Sequence, residues 1–140
     1  MVTESQIVFD RPRVEVDGSE AVYQLFKQMA VLETEHVSVL TLTSQNRTMT
    51  RRMVKMDRVK DSPIHPREVF QAAILDGAVK LIVVHNHPSG DPTPTEDDVM
   101  ITRRLVAAGE LLGIEVADHL VIGHESYYSF RDHGRMTVLP

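Results

Sequence analysis

The chain has 140 residues, of which 42% are hydrophobic and 25% charged, with a formal net charge of −5 and no cysteine. This length and composition are typical of a soluble globular domain with one hydrophobic core. The acidic balance gives no support to nucleic-acid binding, because non-specific affinity for DNA or RNA depends largely on positive charge. The lack of cysteine excludes disulfides, thiolate zinc ligands and a cysteine nucleophile.

No apolar stretch approaches the roughly 20 residues that a membrane-spanning helix requires, and the N-terminus lacks the apolar core of a signal peptide. We therefore expect a cytoplasmic protein with no membrane partner. Residues 1–140 are expected to form a single domain, with an extended arm at 1–18, a core at 19–130 and an irregular tail at 131–140.

The first predicted element after the arm is a helix. Ser19 is its expected N-cap, and apolar residues recur with helical spacing as far as Glu33 to Glu35. The apolar arm segment IVF (7–9) is expected to pack on its own domain. The alternative is that this segment pairs with the sheet edge of a second copy in a homodimer.

A β-hairpin is predicted next. The segment HVSVLTLT (36–43) alternates and is rich in β-branched residues, which is typical of a strand. SQNR (44–47) is a turn, and RTMTRRMVKMDRV (47–59) is a polar second strand near an edge of the sheet.

The second half of the chain alternates helices and strands. In order, the predicted elements are a helix from Pro66 to Gly77, a strand at AVKLIVVH (78–85), a helix from Thr95 to Gly113, and strands at IEVADHLVIG (114–123) and YYSF (127–130). The continuous apolar run of the first of these strands is typical of a central strand buried on both faces. The order α-β-β-α-β-α-β-β predicts an α/β domain, with a mixed sheet and helices packed against it.

The segment HNHPSGDPTPTEDD (85–98) carries the strongest chemical signal. His85 and His87 lie two residues apart at a strand end, so their side chains point to the same side and can converge on one ion. The spacing of Thr95 and Asp98 is that of a helix capping box, which needs no metal. The same first helical turn is also a rigid mount for a carboxylate ligand.

This order of residues resembles the JAMM motif of the JAB1/MPN zinc metallopeptidase family: H-x-H-P, a hydroxyl residue eight positions after the second histidine, and an aspartate eleven after it. The likeness is closest to the RadC-like branch and extends from about Ser19 to Phe130. Its other matching segments are EHVSVLTLTSQNR, IHPREVFQAAI, TRRLVAAGELLGIEVADHLVIG and YYSF. The resemblance implies the cytidine-deaminase-like three-layer architecture of that family. Full-length RadC-like proteins usually carry a further N-terminal helical region, for which we expect no room in this chain.

The resemblance also implies the residues of the site. His85, His87 and Asp98 would be the ligands of one zinc ion per chain, with a water in the fourth position. Glu35, rather than Glu33, occupies the place of the family's glutamate general base.

Thr95 stands where the family has a serine whose hydroxyl stabilises the oxyanion. The implied reaction is zinc-dependent hydrolysis of an amide or isopeptide bond in a peptide or protein substrate, which the sequence does not identify.

Several nearby residues have two interpretations. Asp91 and Asp97 are expected to be surface or helix-start charges rather than contacts of the histidines, and Ser89 either lines the site or caps the turn. His119 is expected to be a packed, hydrogen-bonded histidine, the alternative being a contact to a zinc ligand or to the substrate.

Two other functions remain open at this point: a non-catalytic binding module, and a DNA-repair-associated metal-binding module. The second is suggested only by the historical name of the RadC-like group, and the acidic charge gives it no support.

Overall fold

A computed structural model describes residues 6–8, 14–58 and 64–137 of the chain. The elements in these ranges are β1 (Gln6–Val8), α1 (Ser19–Phe26), a 3-10 helix (Lys27–Val31), β2 (Glu35–Leu42), β3 (Thr48–Arg58), α2 (Pro66–Asp76), β4 (Lys80–Asn86), α3 (Glu96–Leu112), β5 (Glu115–Gly123) and β6 (Ser126–Ser129). Apart from β1 and the 3-10 helix, this is the predicted order of helices and strands. No helix in the described ranges is both long and apolar enough to cross a bilayer.

The described strands form one six-stranded sheet in the order β1-β3-β2-β4-β5-β6. Strands β4 and β5 run parallel and the other neighbours are antiparallel, so the prediction of an α/β fold with a mixed sheet is confirmed. Ile7 and Val8 of the arm pair with β3 of the same chain, as expected, while Phe9 lies outside the described residues. Strand β3 is therefore second from the edge.

Alternate residues of the central strands face two separate hydrophobic clusters. One cluster joins the sheet to α2 and α3 and includes Val37, Val39, Val69, Phe70, Leu81, Val83, Ile101 and Leu105. The other joins it to α1 and the 3-10 helix and includes Val22, Phe26, Met29, Leu40, Leu42, Ile82, Val84 and Leu120. A helical layer thus covers each face of the sheet, which confirms the three-layer architecture.

The first helix differs from its prediction at both ends. Gly18, not Ser19, is the N-cap, and the Ser19 hydroxyl instead contacts the Tyr127 hydroxyl at 3.0 Å. The α-helix ends at Phe26, well before the predicted end at 33–35, and continues only as the 3-10 helix. The apolar periodicity was misleading here because Val31, an apolar residue within the predicted helix, is 79% exposed.

Helices α2 and α3 follow the prediction more closely. Pro66 opens α2 directly after the N-cap His65, and Gly77 ends it. Thr95 is the N-cap of α3, and Gly113 ends that helix.

Candidate metal centre

Strand pairing brings the sequence-predicted site residues of β2 and β4 together. Val37 is paired with His85, so Glu35, at the start of β2, lies beside the end of β4. Because side chains alternate along a strand, Glu35, Val37, His85 and His87 all turn toward the layer that contains α3. The first turn of α3 supplies Asp98 from that layer.

Glu35, His85, His87 and Asp98 each offer one ligand atom, and these atoms all lie within 4.8 Å of one another. The Nε2 atoms of His85 and His87 are 3.2 Å apart. Asp98 Oδ1 lies 3.3 Å from His85 Nε2, and Asp98 Oδ2 lies 3.1 Å from His87 Nε2. Glu35 Oε1 is 3.6 Å from His85 Nε2.

The group has a closed side and an open side. The side chains of His85 and Asp98 are 0% and 3% exposed, whereas those of His87 and Glu35 are 13% and 16% exposed. A ligand that reaches the group from solvent therefore meets His87 and Glu35 first.

The proline-rich loop between β4 and α3 is fastened to the end of β5. The His87 N–H donates to the Ile122 carbonyl at 2.9 Å, and the His124 N–H donates to the Gly90 carbonyl at 2.8 Å. Gly90 has φ +90°, and a Cβ there would lie 2.0 Å from the His124 ring. Only glycine fits this close approach, which keeps the loop against the sheet.

The outer nitrogen of His87 contacts backbone rather than a carboxylate. His87 Nδ1 is 2.9 Å from the carbonyl oxygen of Asp91. The Asp91 carboxylate is exposed and accepts hydrogen bonds from Thr93, so the expectation of a surface charge is confirmed for that side chain. Asp97 is exposed as well. Ser89 Oγ accepts from the Asp91 N–H at 3.3 Å and so caps the turn.

The outer nitrogen of His85 contacts His119. His85 Nδ1 is 2.8 Å from His119 Nε2, and His119 Nδ1 is 2.6 Å from the hydroxyl of Thr102. Both histidines are fully buried, and Thr102 is 1% exposed. The structure therefore agrees with both interpretations of His119. Its ring is packed and hydrogen-bonded, and it also contacts His85.

The predicted capping box is present at the start of α3. The Asp98 N–H donates to Thr95 Oγ1 at 3.1 Å, and the Thr95 N–H donates to Asp98 Oδ2 at 2.9 Å. The cap fixes the Asp98 carboxylate beside the histidines. Because Thr95 Oγ1 accepts in this cap, its own hydroxyl proton is free to donate elsewhere.

Asn86 holds the segment that carries Glu35. Its Oδ1 accepts from the His36 N–H at 2.7 Å, and its Nδ2 donates to the Thr34 carbonyl at 3.0 Å. These two bonds bracket Glu35 on both sides, and Asn86 is fully buried. A single carboxamide therefore supplies the donor and acceptor that a neighbouring peptide group would supply in a strand ladder.

The sequence analysis did not single out Asn86 or Thr102. Thr102 had a detectable signal, because it lies four residues after Asp98 and so on the same face of α3. For Asn86 no signal was available, since its partners are backbone groups 50 and 52 residues earlier in the chain.

Electrostatics couple Asp98 to the two histidines. Burial by itself raises the pKa of Asp98, but hydrogen bonds with His85 and His87 reverse this effect and hold that pKa far below its usual range. Burial also lowers the pKa of His87, yet its contacts with Asp98, the Asp91 carbonyl and Glu35 raise it overall. The carboxylates therefore favour a positive charge at this position.

The donor set fits a metal ion. Two imidazole nitrogens and two carboxylates converge, and the outer nitrogens of both imidazoles are engaged by groups behind them. Imidazole and carboxylate are common ligands of zinc, and outer hydrogen bonds that orient the imidazoles are usual at such sites. These residues form a group that can hold a metal ion.

Comparison with known proteins matches residues 16–135 to the model of the RadC-like JAB domain. A UPF0758 protein of Symbiobacterium thermophilum is 46% identical over 126 residues, which are 89% of this chain and 54% of that protein. A UPF0758 protein of Thermotoga maritima is 42% identical over 121 residues, or 86% of this chain and 54% of that protein. A UPF0758 protein of Methanosarcina mazei is 37% identical over 126 residues, which are 89% of this chain and 55% of that protein.

The chain spans little more than half the length of these relatives. Their names state no activity or ligand.

Proposed function

The chain belongs to the RadC-like JAB domain family, and from this premise we propose that it is a zinc-dependent hydrolase of amide or isopeptide bonds in a peptide or protein. The observation that carries the proposal is the convergence of two imidazole Nε2 atoms and two carboxylates at a partly open site. An open position beside three protein ligands is what separates catalytic from structural zinc sites.

We assign the ligand role to His85, His87 and Asp98. The Asp98 carboxylate is the more buried of the two and is fixed by the capping box, as a permanent ligand requires. Glu35 is more exposed and lies 3.6 Å from His85 Nε2, farther than Asp98 does. This position suits a general base on the solvent side of the site.

His85, His87 and Asp98 would hold the zinc ion, which would supply a coordinated water with a pKa lowered toward neutrality and a Lewis acid for the carbonyl of the bond to be cleaved. Glu35 then accepts the proton that the attacking water loses and delivers it to the nitrogen of the leaving amine as the C–N bond breaks. The Thr95 hydroxyl, whose proton is not used by the capping box, donates to the oxygen that becomes negative in the tetrahedral intermediate.

The proposal is tested by the metal content and the activity of the same preparations. Elemental analysis of gently purified wild-type protein is expected to give about one zinc per chain, as for a single site with three protein ligands. His87→Ala is expected to lose the zinc. Glu35→Gln, which keeps the shape of the side chain, is expected to keep the zinc and lose the cleavage of a mixed peptide and isopeptide library.

Two results would contradict this function. A folded wild-type chain that has no affinity for zinc would remove the metal site, and a Glu35→Gln variant that cleaves as fast as wild type would remove the general base. Zinc binding with no cleavage of any library member would instead favour a non-catalytic metal-binding module.

A further inference from the structure

We propose that His119 and Thr102 are positioning residues that turn the metal-binding nitrogen of His85 toward the site before any metal arrives. The inference rests on the proposed metal site but not on hydrolysis. It concerns a chain of hydrogen bonds from the Asp98 backbone through Thr102 and His119 to His85, which we call the buried relay.

The direction of the buried relay is set at its Asp98 end. Thr102 Oγ1 lies 2.8 Å from the Asp98 carbonyl oxygen, which can only accept a hydrogen bond. Two oxygens at this distance require a proton between them, since their lone pairs repel otherwise. The single hydroxyl proton of Thr102 is therefore given to Asp98, and Thr102 Oγ1 must accept from its other partner.

That partner is His119 Nδ1, 2.6 Å away, which must carry a hydrogen. In a neutral imidazole the other nitrogen is then an acceptor, so His119 Nε2 accepts from His85 Nδ1 at 2.8 Å. His85 thus carries a hydrogen on Nδ1. Its Nε2, which faces His87 and Asp98, is the nitrogen that a metal would take.

His87 also carries a hydrogen on Nδ1, for a reason that does not involve the buried relay. Its Nδ1 lies 2.9 Å from the Asp91 carbonyl, an obligate acceptor, so this nitrogen carries a hydrogen as well. Both rings accordingly keep Nε2 available as a metal ligand. For His85 this depends on side chains of β5 and α3, whereas for His87 it depends on loop backbone.

The buried relay also connects the two elements that carry His85 and Asp98. His119 belongs to β5, which supplies none of the four converging groups, and its ring stacks on Phe130 with centroids 4.8 Å apart. Through His119, strand β5 connects a ligand on β4 to the backbone of the ligand on α3. The side chains of His85 and Asp98 are therefore already oriented when a metal binds, so that binding costs little conformational entropy.

The direct test is the tautomeric state of the histidines in the wild-type protein. Long-range ¹H–¹⁵N spectra of histidine-labelled protein, recorded without metal and after addition of zinc alone, identify the nitrogen that carries the hydrogen. We expect Nδ1–H for His85 and His119 in both states. A hydrogen on His119 Nε2 in the metal-free protein, or hydrogens on both of its nitrogens, would overturn the proposal.

The second test measures zinc affinity by competition with a chelator. Thr102→Val keeps the side-chain shape but removes the hydroxyl, and His119→Phe keeps a stacked ring but removes both nitrogens. Each is expected to weaken zinc binding by about 10- to 100-fold, the range for outer contacts of metal ligands. Thr102→Ser, which restores the hydroxyl, is expected to return affinity to within a few-fold of wild type.

Thr41→Val is the matched control. It makes the same change at a fully buried threonine whose hydroxyl contacts Thr50 and Asp76 rather than His119. We expect this variant to lose stability but to keep wild-type zinc affinity. Equal zinc affinity for Thr102→Val and wild type would contradict the proposal, and so would a loss in Thr102→Ser as large as in Thr102→Val.

The two proposals fail in different ways. If the wild type binds no zinc, the proposed function fails, while the metal-free spectra still decide the direction of the buried relay. If zinc binds normally but His119 carries its hydrogen on Nε2, the metal site stands and the positioning role of His119 and Thr102 is wrong.

Discussion

Two of the polar clusters that join this sheet to its helices differ in the balance of donors and acceptors. In the first, the candidate metal centre, the carboxylates of Glu35 and Asp98 face two imidazoles whose outer nitrogens contact His119 and the Asp91 carbonyl. The second cluster, which we call the Asp76 cluster, consists of Thr41, Thr50, Arg52 and Asp76.

In the Asp76 cluster every acceptor has a donor supplied by the chain. The Thr41 hydroxyl donates to Asp76 Oδ2 at 2.7 Å, Thr50 contacts the same oxygen, and the Arg52 guanidinium pairs with Oδ1. One carboxylate thus meets one cation, and nothing further is required. The metal centre instead brings two carboxylates to two imidazoles, a group that can hold a metal ion. We take this as the difference between a structural cluster and a ligand site.

The sharpest test of this comparison is a matched pair of aspartate-to-asparagine changes. We expect Asp98→Asn to weaken zinc binding by more than about a hundredfold, since loss of a ligand exceeds the 10- to 100-fold cost of losing an outer contact. Asp76→Asn is expected to leave zinc affinity unchanged. Chelator competition measures both, and equal losses in the two variants would show that the clusters do not differ as proposed.

The next largest effect is expected in the stability of the Asp76 cluster. Arg52→Met keeps the apolar stem but leaves the Asp76 carboxylate, whose side chain is 6% exposed, without its cation. We expect a loss of about 2 kcal/mol in the free energy of unfolding, the usual scale for hydrogen bonds to charged groups. Urea unfolding of the metal-free protein measures this loss. Lys55→Met is the control, because it removes the cation of the Lys55–Glu68 pair, in which both side chains are more exposed than in the Arg52–Asp76 pair.

A smaller effect is expected at the segment that carries Glu35. Asn86→Ala removes the acceptor of the His36 N–H and the donor to the Thr34 carbonyl. We expect hydrogen exchange of the His36 amide to accelerate about fivefold, which corresponds to the roughly 1 kcal/mol of one such hydrogen bond. Exchange measured by NMR at the Val39 amide, in the middle of β2, serves as the internal reference. An unchanged rate at His36 would show that Asn86 does not hold this segment.

The smallest effect is a pH dependence. Burial alone raises the pKa of Asp76, but hydrogen bonds from Arg52, Thr50 and Thr41 and the charge of Arg52 lower it overall. A carboxyl whose folded pKa is lowered contributes stability above its unfolded pKa of about 3.9, and this contribution disappears as the pH falls through the folded value.

The unfolding free energy of metal-free wild type is therefore expected to fall more steeply below about pH 4 than that of Asp76→Asn. Urea unfolding at several pH values, with a chelator present, measures both slopes. Parallel slopes would mean that Asp76 gains no such stabilisation in the folded state.

The sequence gives local structure reliably where several signals agree. Pro66 and Gly77 mark the ends of α2, and the alternation of HVSVLTLT, followed by a turn, predicts the β2–β3 hairpin. A single signal was less dependable. The apolar periodicity of the first helix extended through Val31, but this residue is exposed and the chain there forms a 3-10 helix.

The sequence by itself determined the groups that are close along the chain. His85 and His87 share a side because a strand has a period of two, and Asp98 is fixed near them by a short proline-rich loop and a capping box. The place of Glu35 could be named only through the resemblance to a family.

Only the tertiary structure decided which distant groups meet. The pairing of Val37 with His85 brings Glu35 to the histidines, and the pairing of β4 with β5 brings in His119. The physical reason is that local patterns specify which way a side chain points, but strand register specifies what it points at. That register depends on the packing of the whole sheet between its two helical layers.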